Sequence, residues 1–189
     1  MEMATTIPAR AQTGSRRRDL LLGVGVGALV LAVVVLLGLR LGNFAQSGPT
    51  VLRVGKPAPE FTLASMDGGT ISLSDLKGKP TWLNVWATWC APCRAEMPDL
   101  QQVHESGGKD QYNLVAMNLG EDAATVERFL KELGYTLPVA LDETGEVTLR
   151  YRVMGLPTHF FIDGNGILVE TYVGVLTRQE MERRVAALW

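Results

Sequence analysis

The chain has 189 residues, 47% of them hydrophobic, which suits one domain of ordinary size with one additional segment. Residues 1–40 hold five Arg and two acidic residues, so residues 41–189 hold 13 basic and 18 acidic residues and a net charge of −5. A mildly acidic domain without an Arg-rich run argues against nucleic acid as a partner.

The N-terminal part of the chain has the composition of a membrane anchor. Residues 20–39 contain no charged residue, and at about 1.5 Å per residue they are long enough to cross a hydrocarbon core of roughly 30 Å. Arg16, Arg17 and Arg18 precede this run, so the positive-inside rule predicts a cytoplasmic N-terminus and an exported remainder. We predict a cytoplasmic segment 1–19, a transmembrane anchor 20–41 and a linker 42–50. A cleaved signal peptide is the alternative. The apolar core of a signal peptide is only about 7 to 15 residues long, however, and residues 20–39 form a longer run.

Residues 51–189 predict one α/β domain. Two apolar runs, 60–63 and 70–73, flank Asp67-Gly68-Gly69 and indicate a β-hairpin. Strands and helices then alternate along the chain, which is typical of an α/β sandwich. The predicted strands are 81–87, 113–118, 138–141, 158–162 and 168–172, and the predicted helices are 91–106, 123–133, 145–151 and 177–188.

The only two cysteines of the chain are Cys90 and Cys93, in Trp-Cys-Ala-Pro-Cys directly after an apolar strand. This spacing allows exchange between a dithiol and an internal disulfide. A purely structural disulfide would gain little from so short a loop, on the order of 2 kcal/mol. A zinc site is disfavoured because a tetrahedral site needs four ligands and the chain offers no second cysteine pair, only His104 and His159.

The predicted helix start assigns different roles to the two cysteines. At the N-cap, Cys90 lies next to unpaired amide groups and the positive end of the helix dipole, which favour its thiolate. Cys93, one turn later, would resolve the mixed disulfide and leave a Cys90–Cys93 disulfide as product. Pro92 suits the first helical turn.

Five ordered segments together resemble the membrane-anchored TlpA/ResA-type thioredoxin-like proteins. They are residues 55–63 (GKPAPEFTL), 83–93 (LNVWATWCAPC), 96–98 (EMP), 151–158 (YRVMGLPT) and 161–164 (FIDG). The resemblance covers nearly all of residues 51–189. It implies a thioredoxin-like fold with an N-terminal β-hairpin extension, preceded by one transmembrane helix.

The resemblance also implies functional residues. Pro157 matches the family's cis-proline beside the dithiol, although only about 5–6% of X-Pro bonds are cis in general. Glu96 matches an acid near the buried cysteine that exchanges a proton during the redox reaction. His159 is predicted to be a strand-edge histidine with some core contact, ahead of a proton shuttle or copper ligand. The implied substrate-binding residues are Trp89, Pro92, Leu156, Pro157 and Thr158.

The implied function is a membrane-anchored, extracytoplasmic reductase of disulfides in exported proteins such as apocytochrome c. It needs no cofactor and no metal, and it implies an upstream membrane dithiol donor. A disulfide oxidant or isomerase of the same fold remains open. A change of about 30 mV in reduction potential corresponds to only about 1.4 kcal/mol, which the sequence does not resolve. A copper chaperone using the cysteines and a histidine is a further alternative. A peroxiredoxin-like peroxidase is disfavoured, since Thr88 lies two residues before Cys90 rather than three.

Overall fold

The computed structural model describes residues 52–106 and 111–188, together with Leu31 and Val33. Contacts divide the chain into two units, Met1–Gly48 and Pro49–Trp189, and the second contains both cysteines. The predicted segments 1–19, 20–41 and 42–50 lie outside the described residues, apart from Leu31 and Val33. Within the described part of the chain, no helix has the length and hydropathy needed to cross a membrane.

Seven strands form one mixed sheet in the order β2-β1-β5-β4-β3-β6-β7. The central strands β3, β4 and β5 are parallel, whereas the two strands on each side are joined antiparallel. The strands are β1 (Thr62–Ser65), β2 (Thr70–Ser72), β3 (Thr81–Trp86), β4 (Asn113–Leu119), β5 (Val139–Asp142), β6 (Thr158–Ile162) and β7 (Leu168–Val173). The helices are α1 (Ala91–Glu105), α2 (Ala123–Leu133), α3 (Glu146–Arg150) and α4 (Arg178–Ala186), with a 3-10 helix at Leu73–Leu76.

Strand β3 is buried on both faces of the sheet and therefore separates two cores. Trp82 and Trp86 belong to the core that also contains the buried faces of α1, α2 and α4. Leu83 and Val85, which alternate with them, belong to the other core, together with residues of α3 and of the N-terminal hairpin region. This full burial explains why the strand appears in the sequence as a nearly continuous apolar run.

The predicted elements are confirmed in order and type, with three differences. The second hairpin strand ends at Ser72, because Leu73–Leu76 turns into a 3-10 helix that the sequence pattern did not reveal. Most other bounds move by one or two residues. The third difference concerns His159. The predicted core contact is confirmed, because His159 is fully buried. The predicted strand-edge position is wrong, because β6 lies between β3 and β7.

The segment between β6 and β7 is a hairpin turn. The Asp163 carboxylate accepts hydrogen bonds from the amides of Asn165 and Ile167, both at 2.9 Å. Gly166 has a φ of 82°, the left-handed region that glycine adopts without steric cost. The carboxylate of Asp163 is therefore used within the turn itself.

Candidate active site

The two cysteines lie where α1 begins, at the carboxyl end of β3. Cys90 is the N-cap residue of α1, as predicted. Its backbone angles are extended, and its sulfur accepts a hydrogen bond from the Cys93 amide at 3.2 Å. The two sulfurs are bonded to each other, with the Cα atoms 5.3 Å apart. Cys90 has 5% of its surface exposed to solvent, whereas Cys93 is fully buried. The more accessible cysteine is therefore the one at the helix end.

A groove of about 510 Å³ opens beside the disulfide. Trp89 and Met154 form exposed parts of its walls, with 67% and 92% of their surfaces accessible. The predicted substrate-binding residues Trp89, Pro92 and Leu156 all line this groove next to Cys90. An accessible, largely apolar surface thus adjoins the disulfide.

The remaining two predicted substrate-binding residues, Pro157 and Thr158, do not line the groove. The Leu156–Pro157 peptide bond is cis, as predicted, and Pro157 is buried. Thr158 is also buried, and its hydroxyl donates to the Gly155 carbonyl at 2.6 Å. The Thr158 side chain therefore supports the loop that carries Leu156 and is not available to a substrate in this arrangement.

Glu96 lies three residues after Cys93, on the same face of α1, and only 2% of its surface is exposed. One carboxylate oxygen, Oε1, accepts a hydrogen bond from the Asn84 amide group at 2.9 Å. The other, Oε2, accepts from the backbone N–H of Leu176 at 3.1 Å and lies 3.4 Å from His159 Nε2. The carboxyl group is therefore buried on the cysteine side of the helix and held by several donors.

Comparison with known proteins agrees with this geometry. Residues 54–171 match the model of the AhpC/TSA family. The thiol-disulfide oxidoreductase ResA of Geobacillus kaustophilus is 34% identical over 161 residues, which is 85% of this chain and 92% of that protein. ResA of Bacillus subtilis is 35% identical over 162 residues, 86% of this chain and 89% of that protein.

The chain belongs to the ResA-type thiol-disulfide oxidoreductases of the AhpC/TSA family. Solved structures agree. A putative thiol:disulfide interchange protein DsbE from Chlorobium tepidum matches with a TM-score of 0.67 and 32% identity, over 72% of this chain and 98% of that one. StoA from Bacillus subtilis matches with a TM-score of 0.61 and 31% identity, over 69% and 98%. The thioredoxin-like fold and the protein-disulfide oxidoreductase activity are thereby confirmed.

The structure adds residues to this oxidoreductase site that the sequence analysis missed. Asn84 on β3 donates to Glu96, and its register partner on β6 is His159. A polar residue within the fully buried run of β3 was the available signal for Asn84, because buried polar groups need partners. The backbone N–H of Leu176 gave no such signal, since its contact depends on a turn 80 residues away from Glu96.

Glu121 is a second site residue that the sequence analysis missed. Its Oε2 accepts hydrogen bonds from the backbone N–H of Thr88 at 2.7 Å and from the Asn118 side chain at 2.8 Å, and its Oε1 pairs with the Thr88 hydroxyl. The parallel strands β3 and β4 end at the same edge of the sheet, which brings the two loops together. The neighbouring Asp122 caps α2, and the Thr125 amide lowers the pKa of its carboxyl group.

Both ring nitrogens of His159 are engaged in hydrogen bonds within the protein. Nδ1 accepts from the indole N–H of Trp82 at 3.2 Å, and Nε2 lies 3.1 Å from the Gly174 carbonyl oxygen. A histidine held in this way has no free nitrogen to act as a copper ligand beside the cysteines. Among the described residues, no cluster of three or more His, Cys, Asp or Glu side chains is arranged to hold a metal ion.

Proposed function

We propose that this oxidoreductase is a membrane-anchored, extracytoplasmic reductase of disulfides in exported proteins, apocytochrome c among them. The buried carboxyl group of Glu96, one helical turn after Cys93, is the observation that carries the proposal. A carboxylate at this position can take up the proton that Cys93 must lose before it attacks a mixed disulfide. That proton transfer is required each time the dithiol gives up its two electrons.

The proposed reaction starts from the dithiol form. The Cys90 thiolate attacks one sulfur of the substrate disulfide, forms a mixed disulfide and releases the first substrate thiolate. Cys93 then passes its proton to Glu96, and its thiolate attacks the Cys90 sulfur, which releases the second substrate thiolate. The two thiolates take up protons from Glu96 and from water. The products are a substrate dithiol and the Cys90–Cys93 disulfide, the form that the structure contains.

The groove beside the disulfide supports a polypeptide substrate. Its walls are mainly apolar side chains, including the exposed Trp89 and Met154, so it suits an extended segment with an apolar residue near the reacting cysteine. Pro92 and Leu156 flank the same opening, on the helix side and the proline-loop side. We assign Trp89, Pro92 and Leu156 to direct substrate contact and Pro157 and Thr158 to support of the loop.

The proposal of an anchor and an exported domain comes from the amino-acid sequence. The uncharged run at residues 20–39 and the preceding arginines support a single span with a cytoplasmic N-terminus. Because no soluble thiol pool is assured outside the cytoplasm, the disulfide has to be reduced again by a membrane protein that carries its own dithiol.

Reduction of a haem-site peptide tests the proposed substrate class. The full chain in detergent, in its dithiol form, is mixed with an oxidised Cys-x-x-Cys-His peptide, the c-type haem attachment sequence. We expect the peptide dithiol to form, and the matched Cys90→Ser chain to give none. Net oxidation of the peptide dithiol by the disulfide form, without the reverse reaction, would instead indicate an oxidant.

Protease treatment of membranes tests the anchor. Vesicles of both orientations that contain the full chain are treated with protease, and the fragments are detected with an antibody to the C-terminal domain. We expect digestion of the domain only where the extracytoplasmic face is accessible. Digestion only from the cytoplasmic face, or release of the whole chain by a carbonate wash, would contradict the proposed localisation.

A further inference from the structure

His159 is a buried histidine with a defined tautomer. The indole N–H of Trp82 can only donate, so Nδ1 of His159, at 3.2 Å, must be the acceptor. The Asn84 side-chain nitrogen, also a donor, lies 3.3 Å from the same Nδ1. The ring hydrogen is therefore on Nε2, which faces the Gly174 carbonyl oxygen at 3.1 Å and Glu96 Oε2 at 3.4 Å.

The same contacts connect Glu96 with the loop that carries the cis-proline. Asn84 donates to Glu96 and also lies beside His159, so one amide group contacts both side chains. The turn after β7 accepts from His159 at the Gly174 carbonyl and donates to Glu96 through the Leu176 amide. The Gly174 amide in turn donates to the Pro157 carbonyl at 2.9 Å.

We propose that His159 is a positioning residue of the thiol–disulfide reaction, which holds the Glu96 carboxyl group and the turn at residues 174–176 in the arrangement that receives the Cys93 proton. This inference rests on the proposed proton-accepting role of Glu96. We assign His159 no contact with the reacting sulfur atoms. It acts through Glu96, and through the turn it acts on the Pro157 loop.

The side chains around His159 are the groups that a replacement of this residue can affect directly. Trp82 and Asn84 contact the imidazole from β3, and Glu96 contacts it from α1. Two aromatic rings also pack against it, Phe161 on its own strand and Tyr172 on β7. Arg184 on α4 stacks on Tyr172 with its guanidinium carbon 4.5 Å from the ring centre, and it also pairs with Glu170. Glu96 is the only carboxylate in direct contact with the imidazole among the described residues.

A two-step reaction with dithionitrobenzoic acid tests the proposal. Attack by Cys90 of the dithiol chain releases one coloured thionitrobenzoate and leaves a mixed disulfide, and attack by Cys93 releases the second. A loss of proton transfer to Glu96 slows the second release and changes its pH profile, whereas general damage to the fold slows both. The full chain in detergent is compared with Glu96→Gln, His159→Phe, His159→Gln and the double variant Glu96→Gln/His159→Phe.

We expect His159→Phe, which keeps an aromatic ring but has no N–H, to slow the second release about tenfold and to give the pH profile of Glu96→Gln. The double variant should be no slower than Glu96→Gln alone, because both changes remove the same step. His159→Gln keeps a side-chain N–H and should recover most of the rate. His104→Phe, a histidine replacement at the far end of α1, is the matched control and should leave both releases unchanged.

Three results overturn the inference, in two ways. A slow second release in Glu96→Gln with a normal one in both His159 variants, or equal slowing by Phe and Gln, removes the role of His159 and leaves that of Glu96. An unchanged second release in Glu96→Gln removes the proton-accepting role of Glu96, and the role of His159 with it.

Discussion

Glu121 accepts hydrogen bonds from both the backbone N–H and the hydroxyl of Thr88, two residues before the N-terminal cysteine of the dithiol. The loop between β3 and α1 is thereby tied to the end of β4. The exposed Trp89, which lines the groove, follows Thr88 directly. The carboxylate thus restrains the segment that presents both the reactive sulfur and one wall of the groove.

Replacement of Glu121 by Ala should destabilise the domain by about 1–3 kcal/mol, because the Thr88 amide and the Asn118 side chain lose their acceptor. The free energy of unfolding from denaturant titration measures this loss. Glu127→Ala is the matched control, since Glu127 is an exposed residue that pairs with Lys131 across one helical turn. Equal effects of the two replacements would show that the Thr88 contacts add no stability.

The two cysteines should differ in their ability to retain a substrate. Cys93→Ser should accumulate a mixed disulfide on Cys90, because the second attack is lost, whereas Cys90→Ser should retain no substrate. Incubation of each variant with an oxidised peptide, followed by non-reducing mass analysis, gives the fraction retained. Equal retention by both variants would contradict the order of attack and resolution.

The dithiol form should also react unevenly with an alkylating reagent. The helix end favours the Cys90 thiolate, and Cys93 has no exposed surface, so Cys90 should be labelled first at neutral pH. Peptide mapping after a short exposure to iodoacetamide identifies the labelled residue. Faster labelling of Cys93 would reverse the assignment of the two cysteines.

The capping box of α4 should make this helix sensitive to acid. The amide and hydroxyl of Thr177 lower the pKa of Glu180 below its ordinary value of 4.5. A lowered pKa in the folded state stabilises the fold above the ordinary value, and this contribution is lost as the pH falls through the folded-state value. The difference in thermal midpoint between the natural chain and Glu180→Gln should therefore be largest near neutral pH and shrink below about pH 4.5. A difference that stays constant from pH 7 to pH 3 would contradict this role.

Local patterns account for most of the fold but for only part of the site. The amphipathic period of α2 and its closing Gly134 predict Ala123–Leu133 as observed, because both signals lie within the helix itself. The position of Cys90 at a helix start is likewise predicted by residues close to it in the sequence. In contrast, β3 is buried on both faces, so no alternation of polar and apolar residues shows which face of the sheet Asn84 and Trp82 occupy.

The part of the site around His159 depends on contacts between distant residues. Trp82 and His159 are 77 positions apart, and Glu96 and Leu176 are 80 positions apart. Neither a helical nor a strand period relates residues at such separations. The sequence of neither β3 nor β6 predicts that these two strands are neighbours in the sheet. The family resemblance predicted a role for Glu96 but gave no reason to expect a histidine beside it.

The reduction potential of the Cys90–Cys93 pair tests the proposed reductase most directly. The full chain in detergent is equilibrated with glutathione mixtures of known potential, and the fraction of dithiol is measured after acid quenching and alkylation. A donor of electrons to exported disulfides should have a midpoint nearer that of thioredoxin, about −270 mV, than the strongly oxidising end near −120 mV. A midpoint close to −120 mV would contradict the reducing direction and indicate a disulfide oxidant on the same fold.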